Sequence, residues 1–325
     1  MNWKQRKHFK NKFLNRGTQL HMTDKDVYPS RTGNAEQIIS RQDPVVYSDV
    51  LSSDTHTLSR SQLQSYSEDG FIVLPDYMPE MAAPLLDEIK RLKKSMADKE
   101  ELVTEPDSQN IRSLFKPHKY SALIDRFSRH PKILNIAKQI LGSDVHITQA
   151  RVNVKPAYRG RSFAWHSDFE TWHVEDGMPR MRAVTAWIML TENSEFNGPL
   201  FVIPGSHELF VSCSGSTDDK NYTRSLKMQQ AGVPHTETMQ QILNNRTIKS
   251  IHGKPGTVVF HECNLMHGSP DNISGMPRTV LMFVYNSCEN ALEKPFSYKA
   301  PRPEYLRNPD ARAITTAKSQ IDNDE

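Results

Sequence analysis

From Pro79 to Met96 the apolar residues Met81, Leu85, Leu86, Ile89, Leu92 and Met96 recur three or four positions apart, while Lys90, Arg91, Lys93 and Lys94 take the other side. That spacing predicts an amphipathic helix with one stripe against a core. A second helix is expected over Pro131 to Leu141: proline suits the first turn, where an N–H has no partner anyway, and Gly142 suits the stop. Its candidate core positions are Ile133, Leu134, Ile136, Ala137, Ile140 and Leu141. After Gly142 the period shortens to two. Over Val145 to Lys155 the residues Gln149, Arg151, Asn153 and Lys155 alternate with Ala150, Val152 and Val154, so the polar set shares one strand face. Such a face ordinarily meets water. Because it lies just ahead of the richest chemistry in the chain, it is read here as the wall of a polar pocket inside a barrel, with the apolar face against the helices.

Further strands are expected over Ala183 to Leu190, Leu200 to Ile203, Thr257 to Phe260 and Thr279 to Tyr285, with Asn197-Gly198-Pro199 and Pro204-Gly205-Ser206 as turns. The stretch from Ser212 to Lys249 lacks strand character and holds an expected helix, Glu237 to Leu243; it is either a rim or lid over a site or a passive surface excursion. Short strands preceded by helices imply a mainly β protein with flanking helices, folded as a double-sheet jelly roll. The expected layout is a basic arm over 1–25 and one domain over 26–310, followed by a tail over 311–325. Within the domain the helical front part covers about 60–142 and the jelly-roll core about 143–290.

Composition narrows the function classes. Lys and Arg number 41 against 38 Asp and Glu, a near balance that gives no broad electrostatic case for nucleic acid. No apolar run reaches the length of a membrane span and no secretory segment follows the start, so a cytoplasmic protein is expected. Cys213, Cys263 and Cys288 lie far apart without paired spacing, which suits a reducing compartment and gives no sign of a zinc ribbon or disulfide framework. The first sixteen residues carry six Lys or Arg and no acid, and are expected to form a disordered basic extension.

The candidate chemistry centres on Phe163-Ala164-Trp165-His166-Ser167-Asp168 and on His267, about a hundred residues downstream. Two imidazoles and a carboxylate are the facial set that holds a non-heme Fe(II) and leaves positions open for oxygen and a co-substrate. If the chain is extended there, His166 and Asp168 point to the same side and can grip one ion from one strand. The tripeptide alone says little, since His-x-Glu recurs at His173/Glu175 and His235/Glu237. What singles out the first copy is Arg278, eleven residues beyond His267 at the head of a strong strand. A guanidinium beside the metal suits a bidentate grip on the far carboxylate of 2-oxoglutarate, whose 2-oxo acid end would chelate the iron.

With these residues in place the chain resembles the phytanoyl-CoA dioxygenase superfamily of Fe(II)/2-oxoglutarate oxygenases, and within it the ectoine hydroxylases, from about Asp26 to Tyr305. The resemblance is carried by the run from Trp165 to His173 with Glu175-Asp176-Gly177-Met178-Pro179, by Asn197-Gly198-Pro199-Leu200, by Pro204-Gly205-Ser206-His207, by Met266-His267-Gly268-Ser269 and by Val284-Tyr285-Asn286-Ser287. It implies a cupin-like double-stranded β-helix, iron on His166, Asp168 and His267, and O2 as the second co-substrate. It implies that Lys155, Arg278, Ser269 and Asn153 hold 2-oxoglutarate or sit beside it, that Gln149, Arg151 and Trp172 surround an ectoine ring, and that the protein is a homodimer. An indole face suits a delocalised amidinium-type cation. Two positions depart from the pattern: His261 and Met282 stand where ectoine hydroxylases usually carry phenylalanines that enclose the substrate. Losing two aromatic faces alters what a pocket prefers. The expected activity is therefore hydroxylation of a small zwitterion, ectoine first, with a different free or modified amino acid second; a metal-binding jelly roll without turnover is the third reading.

Overall fold

The polar-faced strand is present with the expected bounds, and most other elements are arranged around it. The computed structural model describes residues 26–48, 56–106 and 108–317. The expected basic arm, and residues 318–325 of the expected tail, lie outside them. The strands in chain order are β1 (Gln37–Ser40), β2 (Phe71–Leu74), β3 (Leu102–Thr104), β4 (Ile111–Phe115), β5 (Val145–Lys155), β6 (Phe163–His166) and β7 (Ala183–Met189), then β8 (Leu200–Val202), β9 (Leu209–Ser212), β10 (Lys249–Ile251), β11 (Val258–Glu262), β12 (His267–Ser269) and β13 (Arg278–Ser287). The helices are α1 (Arg60–Asp69), α2 (Pro79–Ser95), α3 (Pro117–Tyr120), α4 (Ala122–Ser128), α5 (Pro131–Leu141), α6 (Asp168–Thr171), α7 (Tyr222–Ser225) and α8 (Thr236–Leu243).

The larger sheet has the order β2-β11-β7-β13-β5-β4-β3 and the smaller one β10-β8-β12-β6, every pair antiparallel; β1 and β9 form a separate ribbon. This is the double-stranded β-helix that the short punctuated strands imply. Alternation decides what each face of the larger sheet does. On one face Ala150, Val152, Ala186, Ile188, Leu281, Phe283 and Tyr285 pack in a single apolar cluster with Leu85, Ile89 and Leu92 of α2 and with Ile133, Leu134, Ile136 and Ile140 of α5. Each such side chain contributes about 1.5–3 kcal/mol when fully buried. On the other face Trp187, Met189, Val280 and Met282 meet Val202 of the smaller sheet. Both faces of β5 are therefore covered, and its polar residues turn inward to the space between the sheets and not to water.

Differences from expectation are small and have local causes. The strand expected to begin at Thr279 starts at Arg278 and runs to Ser287, because its pairing with β5 continues past a register shift between Val284 and Tyr285. Short strands such as β2, β6, β10 and β12 show no periodicity of their own and exist through their partners. The helix α5 stops where Gly142 takes a left-handed conformation, φ 57°, and its N–H reaches the Lys138 carbonyl. Among the described residues no helix is long and apolar enough to cross a membrane.

Gly177 ends the π-helical turn Trp172–Asp176 at φ 82°, and a Cβ there would lie 2.2 Å from the Glu293 carbonyl oxygen. Gly177→Ala must strain the backbone and push away the segment whose Glu293 and Ser297 N–H groups donate to the Gly177 and Val174 carbonyls of this turn. We expect a loss of about 1–3 kcal/mol in urea unfolding; an unchanged midpoint would show that the turn tolerates a side chain.

Candidate active site

The smaller sheet brings the two distant histidines together. β6 and β12 pair with His166 directly opposite His267, and opposite residues project on the same side, so the two rings stand 4.3 Å apart between centroids. Asp168 arrives by a different route from the one expected. The strand stops at His166, Ser167 caps a helix by accepting from the Glu170 N–H, and Asp168 is the first residue of α6. A strand-to-helix corner, not strand alternation, thus places the carboxylate. One ligand atom from each of His166, Asp168 and His267 lies within 4.8 Å of the others, and all three residues are buried.

Hydrogen bonding sets the imidazoles up as donors of lone pairs to a metal. The Nδ1 of His166 lies 2.7 Å from the Ala164 carbonyl and that of His267 lies 2.9 Å from the Leu265 carbonyl. A carbonyl only accepts, so each Nδ1 carries the hydrogen and each Nε2 is left free, the arrangement that orients metal-bound histidines. Burial first, and then the neighbouring His166, pushes the His267 imidazole down to about 3, so it stands neutral. Burial alone would raise the Asp168 carboxyl, but the imidazoles of His267, His166 and His261 and then Arg151 outweigh it and hold the acid well below the usual range. Its Oδ2 is buried without a hydrogen-bond partner. Two imidazoles oriented by backbone carbonyls and one ionised carboxylate fit a divalent metal of the iron class.

Arg278 opens β13 beside this cluster. It is 5% exposed, its Nε has no partner, and no acidic side chain pairs with it among the described residues. Burial pulls its guanidinium down to about 10. A buried, unpaired cation is costly and is relieved by an incoming carboxylate. Lys155 stands directly across the ladder from Arg278, yet its amine is held by the backbone carbonyls of Arg161, at 3.0 Å, and Pro270. Burial, and then Arg278, brings that amine down to about 6. Of the residues expected to touch metal, co-substrate or substrate, it is the one that does not line the cavity: Gln149, Arg151, Asn153, His166, Asp168, Trp172, His261, His267, Ser269, Arg278 and Met282 all do. Its stem is closed in by Gly160 and Gly198, each with room for no side chain against it.

On the far wall, Gln149 donates to the Leu306 carbonyl at 2.6 Å and leaves its own Oε1 unpartnered and buried. Trp172, 3% exposed, opens the π-helical turn behind Asp168. The Arg151 Nε donates to the Met282 sulfur at 2.8 Å, and its Nη2 lies 4.0 Å from Asp168 Oδ1. The Asn153 Oδ1 accepts from Ser113 at 3.0 Å. His261 does not offer an open ring face: it lies 5.2 Å from the His267 ring and turns an edge to Asp168.

Other cavity residues gave no usable signal in sequence. Ser113 and Phe115 come from β4, Ser225, Leu226 and Gln229 from the long stretch after β9, and Arg302 and Leu306 from the proline-rich C-terminal segment. The rim reading of 212–249 thus has contacts behind it. Arg302 is tied in two places to Asp176, at 2.8 and 2.6 Å. Arg31 makes a similar fork to Glu170, at 2.9 and 2.6 Å, and also reaches Glu175. These contacts brace α6 and the turn that follow Asp168. Alternating hydrophobicity could not reveal them, because Arg31 and Arg302 lie in irregular chain.

Known proteins give the same picture. The family model for phytanoyl-CoA dioxygenase (PhyH) matches residues 66–280. The ectoine dioxygenase of Bordetella bronchiseptica is 48% identical over 284 residues, covering 86% of this chain and 92% of that protein; the ectoine dioxygenase of Sphingopyxis alaskensis is 43% identical over 290 residues, covering 86% and 92%. The crystal structure of EctD from S. alaskensis with 2-oxoglutarate and 5-hydroxyectoine is similar at a TM-score of 0.78 and 40% identity, over 90% of this chain and 96% of that one. The same enzyme with bound Fe gives 0.79 and 39%, over 90% and 98%. With the family model matching residues 66–280 and relatives of 43–48% identity covering 86% of this chain, the chain belongs to the phytanoyl-CoA dioxygenase family.

Proposed function

We infer that this protein is an Fe(II)- and 2-oxoglutarate-dependent dioxygenase that hydroxylates ectoine to 5-hydroxyectoine. The observation that carries the reading is that the His166, Asp168 and His267 cluster and the unpaired Arg278 guanidinium open on one cavity; the ectoine dioxygenase relatives point to the substrate. His166, Asp168 and His267 would hold the iron. Iron bound there supplies oxygen activation coupled to decarboxylation of 2-oxoglutarate, giving succinate and carbon dioxide, with the second oxygen atom passed to a substrate C–H bond. Arg278 neutralises the far carboxylate, with Ser269 and Asn153 beside it. Lys155 acts through the loops it ties together at Arg161 and Pro270. Gln149 Oε1 is placed to accept a ring N–H, Arg151 to meet the substrate carboxylate, and Trp172 to cover the delocalised cation. The walls from Leu226, Gln229, Arg302 and Leu306 hold the substrate and exclude water, which matters because a misplaced substrate wastes the oxidant.

A second reading, hydroxylation of another free or modified amino acid, is favoured by one observation: neither His261 nor Met282 presents an aromatic face, since one ring turns to Asp168 and the other side chain accepts from Arg151. We further propose that the protein is a homodimer, as the family resemblance implies, working in a reducing compartment that suits its three free thiols. Light scattering at about twice the chain mass of 37.2 kDa would bear out the dimer, and at the chain mass would refute it.

Succinate released by the purified protein with Fe(II) and 2-oxoglutarate should rise on adding ectoine, with 5-hydroxyectoine formed alongside. Stimulation by a different amino acid alone would select the second reading, and no stimulation by any member of the panel would remove the hydroxylase. His267→Ala should remain folded and lose turnover. A metal at a hundred times its dissociation constant should stabilise the wild type by about 2.7 kcal/mol and leave this variant unmoved; equal stabilisation would take His267 out of the ligand set. Arg278→Ala should raise the KM for 2-oxoglutarate about tenfold or more, since a charge-assisted hydrogen bond contributes about 1.5–3 kcal/mol; an unchanged KM would refute its role.

A further inference from the structure

One imidazole at the cavity wall has no part in the ligand set above. His261 is on β11, 3% exposed. From the neighbouring β7, Trp187 Nε1 lies 3.2 Å from His261 Nδ1. An indole N–H only donates, so Nδ1 must offer its lone pair, and the neutral ring then carries its hydrogen on Nε2. That Nε2 is buried without a hydrogen-bond partner and lies 3.7 Å from Asp168 Oδ2, which is itself buried without one. An unsatisfied donor and an unsatisfied acceptor thus stand 3.7 Å apart, each the complement of the other in chemistry. With its hydrogen on Nε2 the ring has no lone pair to spare on that side, so in this tautomer it is not a fourth ligand.

We propose that His261 is a positioning residue for the metal-binding carboxylate: held in one tautomer by Trp187, it engages Asp168 Oδ2 and so leaves the carboxylate to meet the metal through its other oxygen. The proposal rests on the reading of His166, Asp168 and His267 as the metal set. It also gives a reason for an imidazole where an aromatic substrate wall is the usual choice. Partners of this kind around metal ligands typically change metal affinity about 10- to 100-fold when removed.

The test uses Co(II) as the probe, titrated into the full chain and followed by its visible absorption, with circular dichroism to establish that each variant is folded. His261→Phe should weaken Co(II) binding about tenfold or more and shift the band as the carboxylate turns. His261→Gln, whose amide N–H can reach Oδ2, should recover most of the affinity and the wild-type band. Trp187→Phe, which frees the tautomer while keeping an aromatic ring, should fall between. Co(II) held equally tightly with an unchanged band in His261→Phe would overturn the proposal, as would a glutamine variant no better than the phenylalanine one. A band showing one nitrogen ligand fewer in His261→Phe would make His261 itself a ligand and overturn it too. A wild type that binds no Co(II) would remove the metal-centre reading, a failure distinct from a wild type that binds and a variant that binds equally well.

Discussion

The pairing of His166 with His267 across β6 and β12 is the constraint on which the site depends. Side chains alternate along a strand, so a slip of one residue in this ladder would send one imidazole to the opposite face. Both strands are short and could not hold that register alone. Their position is fixed because β12 is also paired to β8, and because β6 leads straight into the capped corner that carries Asp168. The cluster of His166, Asp168 and His267 is therefore a product of sheet register plus one helix cap.

Charge is buried around this corner in two different ways. Arg31 with Glu170 and Glu175, Arg302 with Asp176, and Arg41 with Glu262 are closed pairs at 3.0 Å or less. Losing one partner of such a pair typically costs about 3–5 kcal/mol, since the other is stranded in a poor solvent for charge. The pairs to Glu170, Glu175 and Asp176 brace α6 and its π-helical continuation, the segment that holds both Asp168 and Trp172. Arg278, Asp168 Oδ2 and Gln149 Oε1 instead lack partners. The closed pairs are satisfied within the chain, whereas Arg278, Asp168 and Gln149 all line the one cavity.

The cavity is completed by chain that is remote in sequence. β5, β7, β11 and β13 supply a rigid polar and apolar floor, while the stretch containing α7 and the segment near Arg302 supply the rim. Rigid sheet suits the groups that must be placed within tenths of an ångström. A rim of irregular chain can vary without disturbing the floor, which is how one fold accepts different small substrates. His261 and Met282 are exceptions, being floor residues whose change alters the interior itself.

Much of this was legible in the linear chain. The bounds of α5 and β5 follow from Pro131, Gly142 and a strict alternation of polar and apolar residues, because period and capping chemistry are local properties. The ligand types and the arginine at its fixed offset were likewise visible, since the chemistry of a site resides in side chains. What only the tertiary structure decided depends on register and on irregular chain. It brought Asp168 in on a helix corner in place of a strand, turned Lys155 away to backbone carbonyls, aimed His261 at Asp168, and folded Arg31 and Arg302 in as braces. The sequence alone determined which groups this protein has to work with; the directions of Lys155, His261, Arg31 and Arg302 depend on contacts with remote segments, at Pro270, Asp168, Glu170 and Asp176, which no local pattern encodes.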